Sequence, residues 1–297
     1  MCPCSSRSTT FRQGGFTLIE MIVVMVVMGI LGGMIAIFIS APVQGYVDSE
    51  RRATLNYIAD SALNRITHEL RLALPNSGRV QGALSGAGVC SGTETCYLEF
   101  LPIKDGGRYL AQTDCASSAV CGEVLSFASS VSSVQMLGQM PTFAAGDLLV
   151  VDNLNATDTL NPNNAYNNNA SASNRSSWVS TNAATHVVTI DTNQFPSPSP
   201  TNSFQVITTP VSYVCAPVSG GTGGTLTRYW GYPIASAQPI APAALTAVHP
   251  GALLASNVST CRFSPLSGNG LISMQLTIAE NGESVNLYGV AHIGNVP

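Results

Sequence analysis

The chain has 297 residues, only 9% of them charged, and a formal net charge of −4. Ordinary soluble chains carry about 25% charged residues; here Gly, Ser, Asn, Thr and Ala fill the difference, which suits an exported β-rich protein better than a cytosolic enzyme. Removing the first 15 residues takes away Arg7 and Arg12 and no acid, leaving a formal −6, so the chain has no basic footprint for nucleic acid.

The N-terminal stretch reads Gly14-Gly15-Phe16-Thr17-Leu18-Ile19-Glu20, followed by an uncharged, mostly apolar run to Val47. From Phe16 to Ala41 this is 26 residues, longer than the ~20 needed to span a bilayer. A secretory signal places its small-residue cleavage site after the apolar region; here the Gly pair comes before it. A cut at the glycines removes a polar leader and keeps the membrane segment. The leader arginines favour a cytoplasmic N-terminus, with the remainder outside. Glu20 is costly in hydrocarbon, by roughly 2.5–3.5 kcal/mol on insertion scales, and is therefore a functional-site candidate that needs a partner.

These residues carry a resemblance. The segment Gly15 to Glu20 with its apolar run resembles the type III leader of type IV pilins and type II secretion pseudopilins. The resemblance implies cleavage between Gly15 and Phe16 by a prepilin peptidase and N-methylation of the new terminal Phe16. Glu20 becomes mature position five, where the family's Glu pairs with the amine of a neighbouring subunit during assembly. It further implies other pilins and minor pilins as partners through the helix, an inner-membrane assembly platform, and a single-pass inner-membrane location before incorporation into a pilus or pseudopilus.

Gly29 and Gly33 have the small-xxx-small spacing that lets helices approach closely, although ordinary transmembrane glycine content explains them equally. Pro42 should kink or break the helix. Beyond Tyr46 the pattern turns amphipathic: Leu55, Ile58, Ala59, Ala62, Leu63, Ile66, Leu70 and Ala73 recur at helical spacing, with charged residues over much of the other face. Among the latter, Arg51, Arg52, Arg65 and Arg71 offer pairing to neighbouring subunits or simply a solvated face. Pro75 should end the helix near Leu74, giving a rod of roughly 85–90 Å. The segments Gln44–Asp48, Ala73–Ser77, Glu99–Ile103, Gly146–Val151 and His292–Pro297 resemble the minor pilin-like proteins of the mannose-sensitive haemagglutinin (MSHA) pilus, with the J-type minor pseudopilins of type II secretion as the related alternative.

The rest reads as short strands between turns: Tyr97–Ile103, Glu123–Phe127, Val131–Leu137, Asp147–Asp152, His186–Asp191, Phe204–Thr208, Thr225–Tyr229, Leu271–Ala279 and Ser284–His292. Asn281-Gly282 between the last two is a strong hairpin signal. Residues 153–183, rich in Asn, Ser, Thr and Ala, read as a long surface loop, either a partner-binding excursion or a tolerated insertion. Six cysteines follow the leader: Cys90, Cys96, Cys115, Cys121, Cys215 and Cys261. An even set in an exported, Gly/Ser-rich region suggests disulfides, and proximity suggests Cys90–Cys96, Cys115–Cys121 and Cys215–Cys261 among 15 possible connectivities. The alternative, a metal site, has no CxxC and no nearby His in its favour. His68, His186, His249 and His292 are scattered, and Gly220–Gly224 lacks the Lys-Ser/Thr of a phosphate loop. No catalysis, cofactor or metal is expected.

The expected organisation is α+β and type IV pilin-like. Residues 1–15 form the leader, 16–41 a transmembrane or filament-core helix, 42–74 an amphipathic helix, and 75–297 a β-rich globular domain on an antiparallel sheet. The function expected is that of a non-enzymatic minor subunit priming or capping an MSHA-type pilus; a type II secretion pseudopilin and a tip adhesin are the competing readings.

Overall fold

A computed structural model describes residues 15–88, 90–115, 122–158, 160–167, 172–266 and 270–294. The chain divides into two compact units, Met1–Arg51 and Arg52–Pro297. A long helix, α1, spans Leu18–Arg71. The strands are β1 (Arg79–Gly82), β2 (Gly86–Ala87), β3 (Cys96–Phe100), β4 (Ile103–Tyr109), β5 (Val131–Leu137), β6 (Leu148–Val150), β7 (Arg175–Asn182) and β8 (Val187–Asn193). They continue with β9 (Ser203–Ile207), β10 (Val211–Ala216), β11 (Thr225–Trp230), β12 (Ala252–Ser256), β13 (Val258–Leu266), β14 (Leu271–Glu280) and β15 (Glu283–His292). A short helix, α2 (Pro242–Leu245), precedes β12. The α+β, pilin-like expectation holds.

In the first unit the described side chains of α1 from Leu18 to Tyr46 are exposed: Phe38 is 82% and Met28 68% accessible. Its run from Met21 satisfies its own backbone, and a Cβ added at Gly29, Gly32 or Gly33 meets nothing within 4 Å. The helix continues through Pro42, so the expected break is absent. Proline removes one ladder bond, and the helical turns on either side carry the helix across.

In the second unit the apolar stripe of α1 does what its spacing predicts. Leu55, Ala59, Ala62, Leu63, Ile66 and Leu70 are buried and join a core with two sheets. One sheet has six strands in the order β12-β11-β10-β3-β1-β2; the other is β13-β14-β15. Gly289 on β15 brings the helix close: a Cβ there would stand 3.8 Å from Leu63 Cδ1. Ion pairs on and beside this stripe also tie the helix to the sheets. Arg52 reaches Glu283 at 2.7 Å, and Glu69 accepts from Arg65 at 3.2 Å and from Arg228 at 2.9 Å. Arg52 and Arg65 are thus paired within the molecule.

The remaining six strands close into a barrel, β4-β5-β8-β7-β6-β9, which the expectation of a single sheet did not include. Its interior is filled by Tyr109, Val134, Met136, Leu149, Val188, Ile190, Phe204 and Val206. Register shifts in the β4–β9, β5–β8 and β7–β8 pairs mark the bulges that bend strands around a small barrel. The run expected as one strand from Tyr97 to Ile103 is divided at Pro102. Lacking an N–H, Pro102 leaves the ladder after β3 and forms an isolated bridge with Ala73, and β4 then enters the barrel. Glu123–Phe127 is not a strand but a strap, held by Leu125 N–H donating to Leu110 O (3.0 Å) and Gln135 N–H donating to Glu123 O (2.8 Å).

Among the described residues, 153–183 do not form one long surface loop. Arg175–Asn182 is barrel strand β7, and Asn153, Asn163, Asn164, Ala165, Tyr166 and Asn174 are buried. Asparagine side chains replace a ladder here. Asn153 Nδ2 donates to Pro75 O (2.6 Å) while its Oδ1 accepts from Ala165 N (2.8 Å). Asn163 Nδ2 donates to Asp152 Oδ2 (3.1 Å), and Tyr166 OH donates to Ser77 O (2.9 Å). The segment clasps the turn that leaves α1.

Candidate functional site

The N-terminal joint is built by capping. Thr17 precedes the first turn of α1, and Glu20 N–H lies 3.1 Å from Thr17 O and 3.4 Å from Thr17 Oγ1. Thr17-Leu18-Ile19-Glu20 has the S/T-x-x-E spacing of a capping box, with an acid in the first turn where the helix dipole favours it. This local signal is legible in the sequence and adds a structural duty to residues otherwise read for processing. Phe16 is 82% exposed, and a Cβ at Gly15 meets nothing within 4 Å. Glu20 is exposed, and among the described residues no side chain pairs with its carboxylate. It is also the only charged residue between Gly15 and Val47. α1 is the one described helix long and apolar enough to cross a membrane, and that window is unburied.

The cysteines lie far along the chain. Cys90 is bridged to Cys96 and Cys215 to Cys261, with Cα–Cα distances of 5.7 and 6.5 Å. The second bridge joins β10 of the six-stranded sheet to β13 of the other. The four are neighbours, since Cys96 faces Cys215 in register and its Sγ lies 3.6 Å from Cys261 O. Cys115 is in a disulfide; its expected partner Cys121 lies outside the described residues.

Other groups have chemistry but no opening. Arg79 and Glu99 form a buried bidentate pair (3.1–3.2 Å), with the guanidinium also donating to Ser236 O and Ala235 O and lying 3.6 Å from the Tyr166 ring centroid. Burial pushes the Glu99 carboxyl up to about 7 against the pull of Arg79. Such a shift marks candidate catalytic groups, yet neither residue is among those lining the cavities at Ala156, Phe127, Phe38 and Tyr57. The pair pins β1 to β3. Glu94 organises the hairpin loop below: it accepts from Ser85 Oγ, Ser91 N–H, Leu84 N–H and Ser85 N–H, and these bonds hold its carboxyl well below the usual range. Among the described residues, no three His, Cys, Asp or Glu side chains gather as a metal site.

The glycine run Gly220–Gly224 has a structural role that the sequence reading missed. A Cβ on Gly221 would overlap the Ala279 carbonyl, and one on Gly224 the Val258 carbonyl. Val218 N–H donates to Val258 O (3.0 Å) and Val258 N–H to Gly224 O (3.2 Å), so backbone meets backbone at the joint between the sheets.

A capped, exposed apolar helix with a lone acid in its first turn, followed by an antiparallel β unit, fits the layout of a membrane-anchored pilin-like protein. Residues 10–41 match the family model of the Prokaryotic N-terminal methylation motif, which marks a prepilin of the pilin or pseudopilin type and implies peptidase processing and assembly with other pilins. No curated protein and no solved structure matches the chain.

Proposed function

We propose that this chain is a minor pilin-like subunit, cut between Gly15 and Phe16, N-methylated on Phe16, and built into a filament where Glu20 neutralises the amine of a neighbour. Before assembly it sits in the inner membrane, N-terminus cytoplasmic and β unit outside, and meets the assembly platform there. The filament is an MSHA-type pilus, with this subunit in the role of MshO, priming or capping assembly near the tip. The large β unit supports a minor role, because repeating it along a thin shaft crowds neighbours. The observation that carries the reading is the Glu20 carboxylate, left unpaired among the described residues, in the first turn of an exposed apolar helix within the matched motif. An amine four residues upstream on another chain supplies the missing partner in a low-dielectric core.

Mass spectrometry of the mature chain tests the cut, which requires Phe16 at the N-terminus. Because Gly15 has open space around it, slowed cleavage in Gly15→Ala reports peptidase recognition and not folding. Glu20→Ala should be processed but fail to enter filaments; normal incorporation refutes the pairing role.

A further inference from the structure

The four cysteines at the joint between the sheets admit more than one pairing. All four are buried in the core shared with α1. Cys96 on β3 stands opposite Cys215 on β10 in register, and residues facing each other across an antiparallel pair point to the same side of the sheet. Such partners have Cα atoms about 4.5 or about 5.5 Å apart, according to their place in the ladder. Both values fall within the roughly 4.4–6.8 Å that a disulfide accepts. The backbone therefore permits a Cys96–Cys215 bridge as well as the Cys215–Cys261 bridge it holds.

The two existing bridges differ in position. Cys90 belongs to the loop between β2 and β3, where Ser91 and Thr93 are exposed, whereas Cys215 and Cys261 lie within strands. A reductant meets the loop bridge first. That loop does not depend on its bridge for its place. Cys261 N–H donates to Gly92 O (3.0 Å), Arg262 Nε donates to Cys90 O (3.3 Å), and Ser91 N–H donates to Glu94 Oε1 (2.9 Å). Cys96 itself is held by the ladder on both sides of β3. The cluster thus stays assembled when the Cys90–Cys96 bond opens.

We propose that Cys96 is an exchange thiol, and that the redox state of the Cys90–Cys96 loop decides whether β10 and β13 are covalently joined. A dithiol reductant gives two electrons to the Cys90–Cys96 bond and becomes a disulfide itself, leaving Cys90 and Cys96 as thiols. The Cys96 thiolate then attacks Cys215 Sγ. The Cys96–Cys215 bond forms, the Cys215–Cys261 bond breaks, and Cys261 leaves as a thiolate that takes up the proton Cys96 lost. This second step is redox-neutral. It exchanges the bridge between the two sheets for one inside the six-stranded sheet, where the ladder already joins β3 to β10. The inference goes beyond the filament reading and does not rest on it.

The test uses the full-length chain in detergent, read by acid quench, alkylation and non-reducing peptide mapping. Cys90→Ser frees Cys96 beside an intact second bridge. After incubation in mildly alkaline buffer, where thiols ionise, roughly a fifth of the molecules or more should carry Cys96–Cys215 with a free Cys261. Cys90→Ser combined with Cys261→Ser leaves Cys96 and Cys215 alone in the cluster, and this chain should oxidise to Cys96–Cys215 while keeping a cooperative unfolding transition. Limiting phosphine on the parent chain asks the same question without a substitution: Cys96–Cys215 should appear in step with free Cys90 and Cys261. Cys96 and Cys215 remaining thiols in the folded double variant overturns the inference. So does Cys215–Cys261 staying intact in either of the other two samples while Cys96 becomes fully alkylated.

Discussion

Ile66→Ala tests whether the stripe of α1 holds the second unit together. Ile66 is fully buried in the core shared by α1 and both sheets. The substitution removes three carbons, a transfer loss of about 2.4 kcal/mol at ~0.8 kcal/mol per methylene. A cavity of about 80 Å³ left unrelaxed adds roughly 2 kcal/mol at ~24 cal/mol per Å³, so the expected cost is about 3–4 kcal/mol with partial collapse. That is a large share of the 5–15 kcal/mol typical of a domain. Tyr57→Ala, on the same helix but 75% exposed, should stay within about 0.5 kcal/mol. Denaturant unfolding of the detergent-solubilised full chain is the assay. Trp230 packs against the α1 core and Trp178 against the barrel core, so separate Trp→Phe backgrounds report each region. An Ile66→Ala loss below 1 kcal/mol, or an equal loss for Tyr57→Ala, refutes the packing argument.

Gly224→Ala should lower the melting temperature and broaden the transition, because its Cβ would press on backbone alone, the Val258 carbonyl and Val218 N; Gly32→Ala, in open space, should not, as calorimetry of the two shows. Replacing Cys215 and Cys261 by Ser should cost roughly 4 kcal/mol for a loop of separation 46, and replacing Cys90 and Cys96 roughly 2 for separation 6, read by urea unfolding. Glu94 has its folded pKa depressed by its hydrogen bonds, so its contribution is present above the unfolded value of about 4.3 and is lost as pH falls below it. Stability from pH 6 to pH 3 should therefore drop less steeply in Glu94→Gln than in the parent.

What could be read from the sequence followed period and punctuation. The α1 stripe and the β14–β15 hairpin were legible because a 3.6-residue period and an Asn-Gly turn between alternating runs each admit one structure. Strand β7 was not: Arg175-Ser-Ser-Trp-Val-Ser-Thr-Asn182 has no apolar alternation, and its neighbours in the barrel, not its own side chains, make it a strand. The same holds for Asn153, Asn163 and Asn164, which read as solvent-seeking yet are buried with their amides bonded to the Pro75, Asp152 and Asp158 carbonyls. β4 was hidden because Ile103-Lys-Asp-Gly-Gly-Arg-Tyr109 looks like a turn; Gly107 lets it pass beside Phe204, whose ring atoms would stand 3.0 Å from a Cβ. At the N-terminal joint the Gly15–Glu20 motif was legible through its family resemblance, and the S/T-x-x-E spacing of Thr17 and Glu20 was there to be read, but only the helix start at Leu18 fixes Thr17 as the capping residue.

The two units solve the burial problem in opposite ways, and this shapes what assembly must do. Residues 52–297 satisfy themselves with packed cores, a closed barrel and disulfides. Between Phe16 and Val43 the large apolar side chains are 47–82% exposed, a surface that water penalises at about 25 cal/mol per Å² and that lipid or other helices must cover. Exchanging lipid for neighbouring helices brings almost no hydrophobic gain, since lipid tails are as apolar as leucine. On the filament reading, the direction of that exchange must therefore come from something lipid cannot offer. Glycines at 29, 32 and 33 with open space above them permit close helix packing, but they permit it for any apolar partner. Glu20 does discriminate: in lipid its charge is left to snorkel toward the interface, whereas beside a neighbour's amine it is paired. On that reading, the single carboxylate supplies both the preference for filament over membrane and the register at which the next helix stops.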